Sequence, residues 1–146
     1  MNLLIDADAC PVTGIAVKAA RERKIPVVLF CDSAHEFLRM DAEVVTVMRG
    51  ADSADFKLTN RVKPGDVVVT QDYGLAAMCL AKGAIVLRQD GLRFTDDNIL
   101  PLLNQRHEVK KRLRAGGRVR GPKKRDKTQD EAFLSALEAI FEERPL

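Results

Sequence analysis

The chain contains no tryptophan, only two histidines and only three cysteines among its 146 residues. Cys10, Cys31 and Cys79 are odd in number, lie far apart and show no CxxC spacing. This pattern argues against a disulfide framework or a zinc site. Two histidines are too few for a histidine-rich metal centre. Because aromatic residues make up only 5% of the chain, the core has to be built from aliphatic side chains.

Long apolar runs are also missing. The first run, Leu3–Ile5, stops at Asp6 and has no basic segment before it, unlike a secretory signal. No run approaches the roughly 20 apolar residues that span a bilayer. We therefore expect a soluble protein of the reducing cytoplasm with no membrane contact. Neither a Gly-x-Gly-x-x-Gly motif nor a P-loop is present, so the sequence does not indicate dinucleotide or ATP binding.

Charge is distributed unevenly along the chain, whose net charge is +3. Between Arg106 and Lys127, eleven basic residues are opposed by two acidic ones, so this segment carries +9 and the rest carries −6. Its glycines predict a basic loop at about 114–127. A basic arm on an acidic body indicates a polyanionic partner, which we expect to be nucleic acid and specifically RNA. The cations expected to contact it are Arg114, Arg118, Arg120, Lys123 and Lys124. A solvated charged face is the alternative.

Short apolar runs alternate with helical patterns over most of the chain. Nearly continuous apolar strands separated by helices are typical of a parallel sheet covered on both faces. Right-handed crossovers then favour a doubly wound α/β fold with strand order 3-2-1-4-5 in a single domain, residues 1–146. The predicted strands number about five: Leu3–Ile5, Val27–Cys31, Val44–Met48, Val67–Thr70 and Ala84–Leu87.

Two more helices are expected after the sheet. The first begins near Asn98–Pro101 and becomes basic toward its end. The second is amphipathic, covers about 129–143 and follows a capping box at Thr128–Glu131. Its apolar face has to pack on the sheet or on a second copy of the chain. A homo-oligomer formed through this helix therefore stays open.

Aspartates follow the predicted strands. Asp6 ends the first strand, Asp8 comes two residues later, and Asp72 follows the fourth strand. In the expected order, strands one and four are neighbours at the switch point, so Asp6 and Asp72 should face each other at the carboxyl edge of the sheet. Asp52 and Asp55 are spaced i, i+3 at the start of the helix before strand four and can reach the same rim.

Carboxylates crowded together stay ionised only when a cation neutralises them, and hard oxygen ligands select Mg²⁺ or Mn²⁺. The expected metal ligands are Asp6, Asp8, Asp52, Asp55 and Asp72. Of these, Asp6, Asp55 and Asp72 are expected to act in catalysis. Each of them has a structural alternative, namely capping of the following turn by Asp6, helix capping by Asp8, Asp52 or Asp72, and a helix-dipole contact by Asp55.

Several short motifs resemble the YaiI/YqxD family of bacterial proteins over nearly the whole chain. They are Asp6-Ala7-Asp8-Ala9-Cys10-Pro11, Thr70-Gln71-Asp72, Lys82-Gly83-Ala84, and Gly116-Gly117-Arg118 with Gly121-Pro122. That family is grouped with PIN-like domains, so the resemblance implies a doubly wound sheet and a metal-dependent ribonuclease site. By the same resemblance, Asp6, Asp55 and Asp72 match three acids of PIN nucleases. PIN nucleases usually take their fourth acid from a helix after the first strand, and only Glu36 is available here, without supporting context, which leaves Asp8 or Asp52 as its substitute.

The leading hypothesis is a Mg²⁺- or Mn²⁺-dependent nuclease that acts on RNA. One alternative is an RNA-binding module that retains the fold without the chemistry. Another is a phosphatase similar to haloacid dehalogenases, with Asp6-x-Asp8 as its nucleophile motif and Gly65-Asp66 as its last acidic motif. Asp66 precedes strand four, however, and should lie at the opposite edge from Asp6.

Overall fold

The computed structural model describes residues 1–8, 10–32, 37, 40–47, 53–117 and 124–143. Strands and helices alternate along this part of the chain, with two helices at its end. The strands are β1 (Leu3–Asp6), β2 (Val27–Cys31), β3 (Glu43–Thr46), β4 (Val67–Val69), β5 (Ile85–Leu87) and β6 (Arg93–Phe94). The helices are α1 (Thr13–Glu22), α2 (Ser53–Arg61), α3 (Tyr73–Ala81), α4 (Ile99–Arg114) and α5 (Lys127–Glu143).

The strands form one sheet in the order β3-β2-β1-β4-β5-β6. β1 to β5 are parallel, which confirms the predicted doubly wound order, and β6 pairs antiparallel with β5. β1 lies between β2 and β4, with Ile5 opposite both Leu29 and Val69. The chain therefore changes its winding direction at β1 and β4, where a doubly wound sheet leaves a crevice at the carboxyl ends of its strands.

Both faces of the sheet are covered. Alternate strand residues point to opposite faces, so Leu3 and Ile5 belong to one core layer and Leu4 to the other. The first layer includes buried residues of α1 and α5, and the second includes residues of α2, α3 and α4. This two-sided burial explains the nearly continuous apolar strands. In the described part of the chain, no helix combines the length and the apolar character that crossing a bilayer requires.

The apolar face of α5 packs within the chain. Phe133, Leu137, Ile140 and Phe141 are buried in the layer that α1 also covers. This face is therefore covered within the chain, and a homo-oligomer formed through the helix stays a prediction.

The predicted capping box of this helix is wrong. The Asp126 carboxylate accepts hydrogen bonds from the amides of Thr128 at 3.0 Å and Gln129 at 3.3 Å, so α5 begins at Lys127. Asp126 precedes Lys127 and already satisfies the amides of the first helical turn.

α4 ends in a Schellman motif. The amide of Gly117 donates to the carbonyl of Arg112 at 2.8 Å, and the amide of Gly116 donates to that of Leu113 at 3.2 Å. Gly116 has a φ of +80°, which favours glycine. These two glycines therefore close a helix, whereas the sequence placed them in the basic loop. Residues 118–123 of that loop lie outside the described residues, and Lys127, its last residue, begins α5.

A hairpin after β5 was missed by the sequence pattern, because β6 has only two residues. Its turn contains Gly91, which has a φ of +91°. A Cβ atom at Gly91 would lie 2.7 Å from the carbonyl oxygen of Ala132 in α5. The hairpin and α5 thus approach each other closely at a position that only glycine accommodates.

We expect Gly91→Ala to destabilise the protein more than Gly65→Ala. Gly65 also has a positive φ, +86°, but a Cβ there would meet nothing within 4 Å. Gly65→Ala should cost about 1–2 kcal/mol from backbone strain alone. Gly91→Ala should add at least about 1 kcal/mol, because the α5 backbone has to move. Urea unfolding followed by circular dichroism measures both, and equal losses would contradict the close approach.

Candidate functional site

The carboxyl ends of β1 and β4 are joined by the hydroxyl group of Thr70. Ile5 is the register partner of Val69, so Asp6 and Thr70 come next along the two strands. Thr70 Oγ1 donates a hydrogen bond to Asp6 Oδ2 at 3.0 Å. The same oxygen accepts a hydrogen bond from the amide of Asp72 at 3.0 Å. This arrangement brings the two predicted aspartates together at the switch point. The buried hydroxyl that links them was not among the predicted site residues.

Asp72 has a structural role in α3. Its Oδ1 atom accepts hydrogen bonds from the amides of Gly74 at 2.9 Å and Leu75 at 3.2 Å, so it caps the helix. The capping alternative is therefore confirmed for this residue. Among the described residues, no hydrogen bond reaches Oδ2. Capping thus engages one carboxylate oxygen and is compatible with a ligand on the other.

Asp8 is exposed and ties the segment after β1 to the end of β2. Its Oδ1 and Oδ2 atoms accept hydrogen bonds from the amide of Asp32 at 3.1 and 3.0 Å. Asp8 does not cap α1, because Val12 occupies the N-cap position of that helix. Asp32, which was not predicted as a site residue, lies at the same edge of the sheet. Its position directly after β2 could have predicted its place at this edge.

Asp55 lies in the first turn of α2, as its helix-dipole alternative requires, and is partly buried. It also lies near enough to Asp6 to act on its pKa. Asp52 is outside the described residues, so its predicted place beside Asp55 stays a prediction.

The pKa of Asp6 is raised from 3.8 to about 6. Burial of its carboxylate is the largest cause, and the hydrogen bond from Thr70 partly opposes it. Repulsion from Asp55, Asp72 and Asp8 raises the pKa further. We call these four carboxylates, Asp6, Asp8, Asp55 and Asp72, the acidic edge. Within the described ranges, no group of three or more His, Cys, Asp or Glu side chains is already arranged to hold a metal ion. The acidic edge is therefore a set of interacting charges rather than a closed cage.

The predicted cations are only partly placed. Arg114 ends α4 and is exposed, as are Lys111 and Arg112 in the same turn, and Lys124 is exposed beyond the loop. Arg118, Arg120 and Lys123 lie outside the described residues. Arg125, from the same basic segment, has a structural contact instead. Its guanidinium donates to the carboxylate of Asp130 and, at 3.0 Å, to the carbonyl of Gln89.

Cys10 and Asp66, which lie outside the acidic edge, have structural roles. Cys10 packs against the core, and burial raises the pKa of its thiol, which opposes nucleophilic reactivity. Asp66 is buried just before β4, where it accepts hydrogen bonds from the amides of Asn2 and Lys63, both at 2.9 Å. Asp66 thus lies at the amino ends of the strands, away from Asp6, as the sequence order predicted.

Asp6→Asn should gain stability relative to the parent as the pH rises. A carboxyl whose native pKa is raised stabilises the fold fully below its unfolded pKa, and this contribution is lost as the pH passes through about 6. Asparagine stays neutral, so the difference should grow in its favour by on the order of 1–3 kcal/mol between about pH 4 and about pH 7. Urea unfolding at each pH measures it. Exposed Asp97→Asn is the matched control, and a pH-independent difference for Asp6→Asn would contradict the assigned burial and repulsion.

Thr70→Val should destabilise the protein by about 1–3 kcal/mol at neutral pH, because Asp6 loses a donor and the Asp72 amide loses an acceptor. It should also raise the pKa of Asp6 further. Thr70→Ser keeps the hydroxyl and should retain the pKa, losing only the packing of one methyl group. Unfolding measurements and carboxyl-carbon NMR titration of Asp6 test the pair. A pKa that is the same in the valine and serine variants would show that the hydroxyl does not act on Asp6.

Comparison with known proteins assigns the chain to a family. The family model described as the uncharacterized YaiI/YqxD family matches residues 4–143. A "UPF0178 protein" of Ruminiclostridium cellulolyticum is 52% identical over 137 residues, which is 94% of this chain and 90% of the relative. A "UPF0178 protein" of Exiguobacterium sibiricum is 44% identical over 144 residues, 99% of each chain. The match extends from β1 to the end of α5, and the chain belongs to the YaiI/YqxD family.

Proposed function

We propose that this protein is a Mg²⁺- or Mn²⁺-dependent nuclease that acts on RNA at the acidic edge. The observation that carries the proposal is the pairing of Asp6 and Asp72 through Thr70 at the switch point of the sheet. In doubly wound sheets this crevice is where ligands bind. The implied relationship to PIN-like nucleases, in which acids at this edge hold the metal, supports the same assignment.

The donor set of the acidic edge fits a hard divalent cation. Asp6 offers Oδ1 and Asp72 offers Oδ2, since in the described part of the chain hydrogen bonds reach only the other oxygen of each. Asp55 acts on Asp6 from α2. Mg²⁺ is usually held by one or two carboxylates together with water and substrate phosphate, so it does not require a closed protein cage. Asp6, Asp55 and Asp72 would hold the ion, with Asp8 and Asp52 in support.

In this proposal, the residues of the site position the acidic groups and the RNA backbone for phosphodiester hydrolysis. The bound cation would supply charge neutralisation and an oriented water. Thr70 holds the Asp6 carboxylate in place, and the capped α3 holds Asp72. A water oxygen would form a new bond to phosphorus while the bond to the leaving ribose oxygen breaks; the water gives up one proton to solvent, and the leaving oxygen gains one from solvent. Arg114 and Lys124, with Arg118, Arg120 and Lys123, would hold the backbone in a salt-sensitive way.

A non-catalytic RNA-binding module is the second candidate. It is favoured by one observation, namely that the carboxylates in the described structure are not yet gathered into a metal cage. Binding of RNA that is equal in Mn²⁺ and in EDTA, without cleavage, would support it. The phosphatase alternative is weaker, because Asp66 is bonded to backbone amides at the amino edge of the sheet.

The parent protein should cleave single-stranded RNA in Mn²⁺, and EDTA should stop this cleavage. Asp72→Asn should lose activity by on the order of 100-fold or more, because asparagine can still cap α3 but carries no charge to hold a metal. Asp97→Asn, exposed and remote in sequence, is the matched control and should keep the parent rate.

Circular dichroism of Asp72→Asn should show an intact fold, so that lost activity reports on chemistry. Equal rates in the parent and Asp72→Asn would point to a contaminating nuclease. No cleavage of any RNA or DNA substrate by the folded parent would favour the binding module.

A further inference from the structure

A cleft of about 710 Å³ flanks Asp72 on the side of α4. Its walls come from the ends of β4 and β5, the start of α3 and one face of α4. The lining residues are Gln71, Tyr73, Arg88, Leu102, Gln105 and Val109. This volume lies within the range of small-molecule binding sites, about 300–1,000 Å³. Because Gln71 and Tyr73 are the chain neighbours of Asp72, whatever binds here lies beside the acidic edge.

One wall of the cleft is a stripe along α4. Leu102, Gln105 and Val109 are spaced i, i+3, i+7 and so lie on the same face of the helix. Leu102 also packs against the core layer that contains α3, which anchors this wall. The stripe places one amide between two aliphatic side chains.

The opposite wall contains an aromatic ring held on two sides. Tyr73 contacts Phe94 edge to face, with 5.5 Å between the ring centroids. Its hydroxyl accepts a hydrogen bond from Arg88 Nη1 at 2.8 Å. Arg88 is fixed in turn by Asp90, to which it donates two hydrogen bonds, at 2.9 and 2.7 Å. Tyr73 is therefore positioned before any ligand arrives, which lowers the entropy cost of binding against it.

The charge of this cleft is balanced. The Arg88 guanidinium is neutralised by Asp90, so the cleft does not have the excess of cations that a phosphate site needs. Besides this ion pair, the cleft is lined by an aromatic ring, two aliphatic side chains and two amide side chains. An amide offers both donors and an acceptor, which suits the edge of a planar heterocycle, and every nucleobase has a face that packs on an aromatic ring.

We propose that this cleft binds a nucleobase of single-stranded RNA next to the phosphodiester at Asp72. The inference rests on the proposed function for its polymeric substrate. Tyr73 packs against the base, and the amides of Gln71 and Gln105 bond to its edge. Since Gln71, Asp72 and Tyr73 are consecutive, base binding and the acidic edge share one short segment. The base in the cleft thus determines which phosphodiester lies at Asp72.

Binding in EDTA tests this inference separately from cleavage. The probes are a labelled eight-nucleotide RNA and the same backbone with abasic ribose at its central positions. The parent should bind the base-containing RNA about 10-fold more tightly, as expected for one base packed on an aromatic side chain. The double variant Gln71→Ala, Gln105→Ala should lose most of this preference, and Val109→Trp, which fills the cleft, should abolish it. Gln71 and Gln105 are exposed, so these changes should leave the fold intact.

Asn104→Ala is the matched control, because Asn104 is exposed on α4 and does not line the cleft. It should keep the parent preference. Equal binding of the two RNAs by the parent, no binding of either, or an unchanged preference in the double variant would each overturn the inference. A binding preference that depends on Gln71 and Gln105, without cleavage in Mn²⁺, would support base binding in the cleft and contradict the nuclease proposal. Cleavage in Mn²⁺ without any binding preference would support the nuclease proposal and contradict base binding in the cleft.

Discussion

The hydrogen-bonded path from the Asp72 amide through the Thr70 hydroxyl to the Asp6 carboxylate controls the arrangement of this edge of the sheet. Thr70 is the one residue that contacts both aspartates in this path, and it is buried at the end of a run of valines. The Thr70 hydroxyl donates its hydrogen bond to β1 and accepts one from the segment that begins α3. The position of Asp6, the cap of α3 and the wall of the adjacent cleft all depend on this contact.

At the same edge, burial and charge repulsion of the Asp6 carboxylate oppose folding when this group is ionised. Burial and three neighbouring carboxylates favour protonation of Asp6, and only the Thr70 hydrogen bond counters them among the causes that act on its pKa. Asp90, by contrast, is paired with the Arg88 guanidinium. Asp8 and Asp72 accept backbone amides, as Asp66 and Asp126 do, but they also lie close enough to Asp6 to repel its charge. Such a concentration of neighbouring carboxylates at a switch point is typical of sites that bind a cation or a proton during function.

The sequence predicted the strand order and the meeting of Asp6 with Asp72, because apolar runs and right-handed crossovers determine both. It could not identify Thr70, since the role of that hydroxyl depends on the register of β1 against β4. The two-residue β6 is too short to produce a pattern. The sequence assigned the cap of α5 to Thr128. The side chains of Thr128 and Asp126 can both cap a helix, so the sequence alone could not distinguish between them. The sequence could not predict the cleft, because its lining residues are spread between positions 71 and 109 and meet only in the folded structure.

The continuity of α4 has a mechanical consequence. α4 forms the cleft wall in its middle turns and exposes Lys111, Arg112 and Arg114 in its last turn, on one continuous helix of 16 residues. At a rise of 1.5 Å per residue the helix is about 24 Å long. Because the helix is continuous from the cleft wall to this last turn, the spacing and orientation of these cations relative to the cleft are fixed. Inserting or deleting one residue between Val109 and Lys111 would rotate the cations by about 100° around the axis relative to the cleft wall.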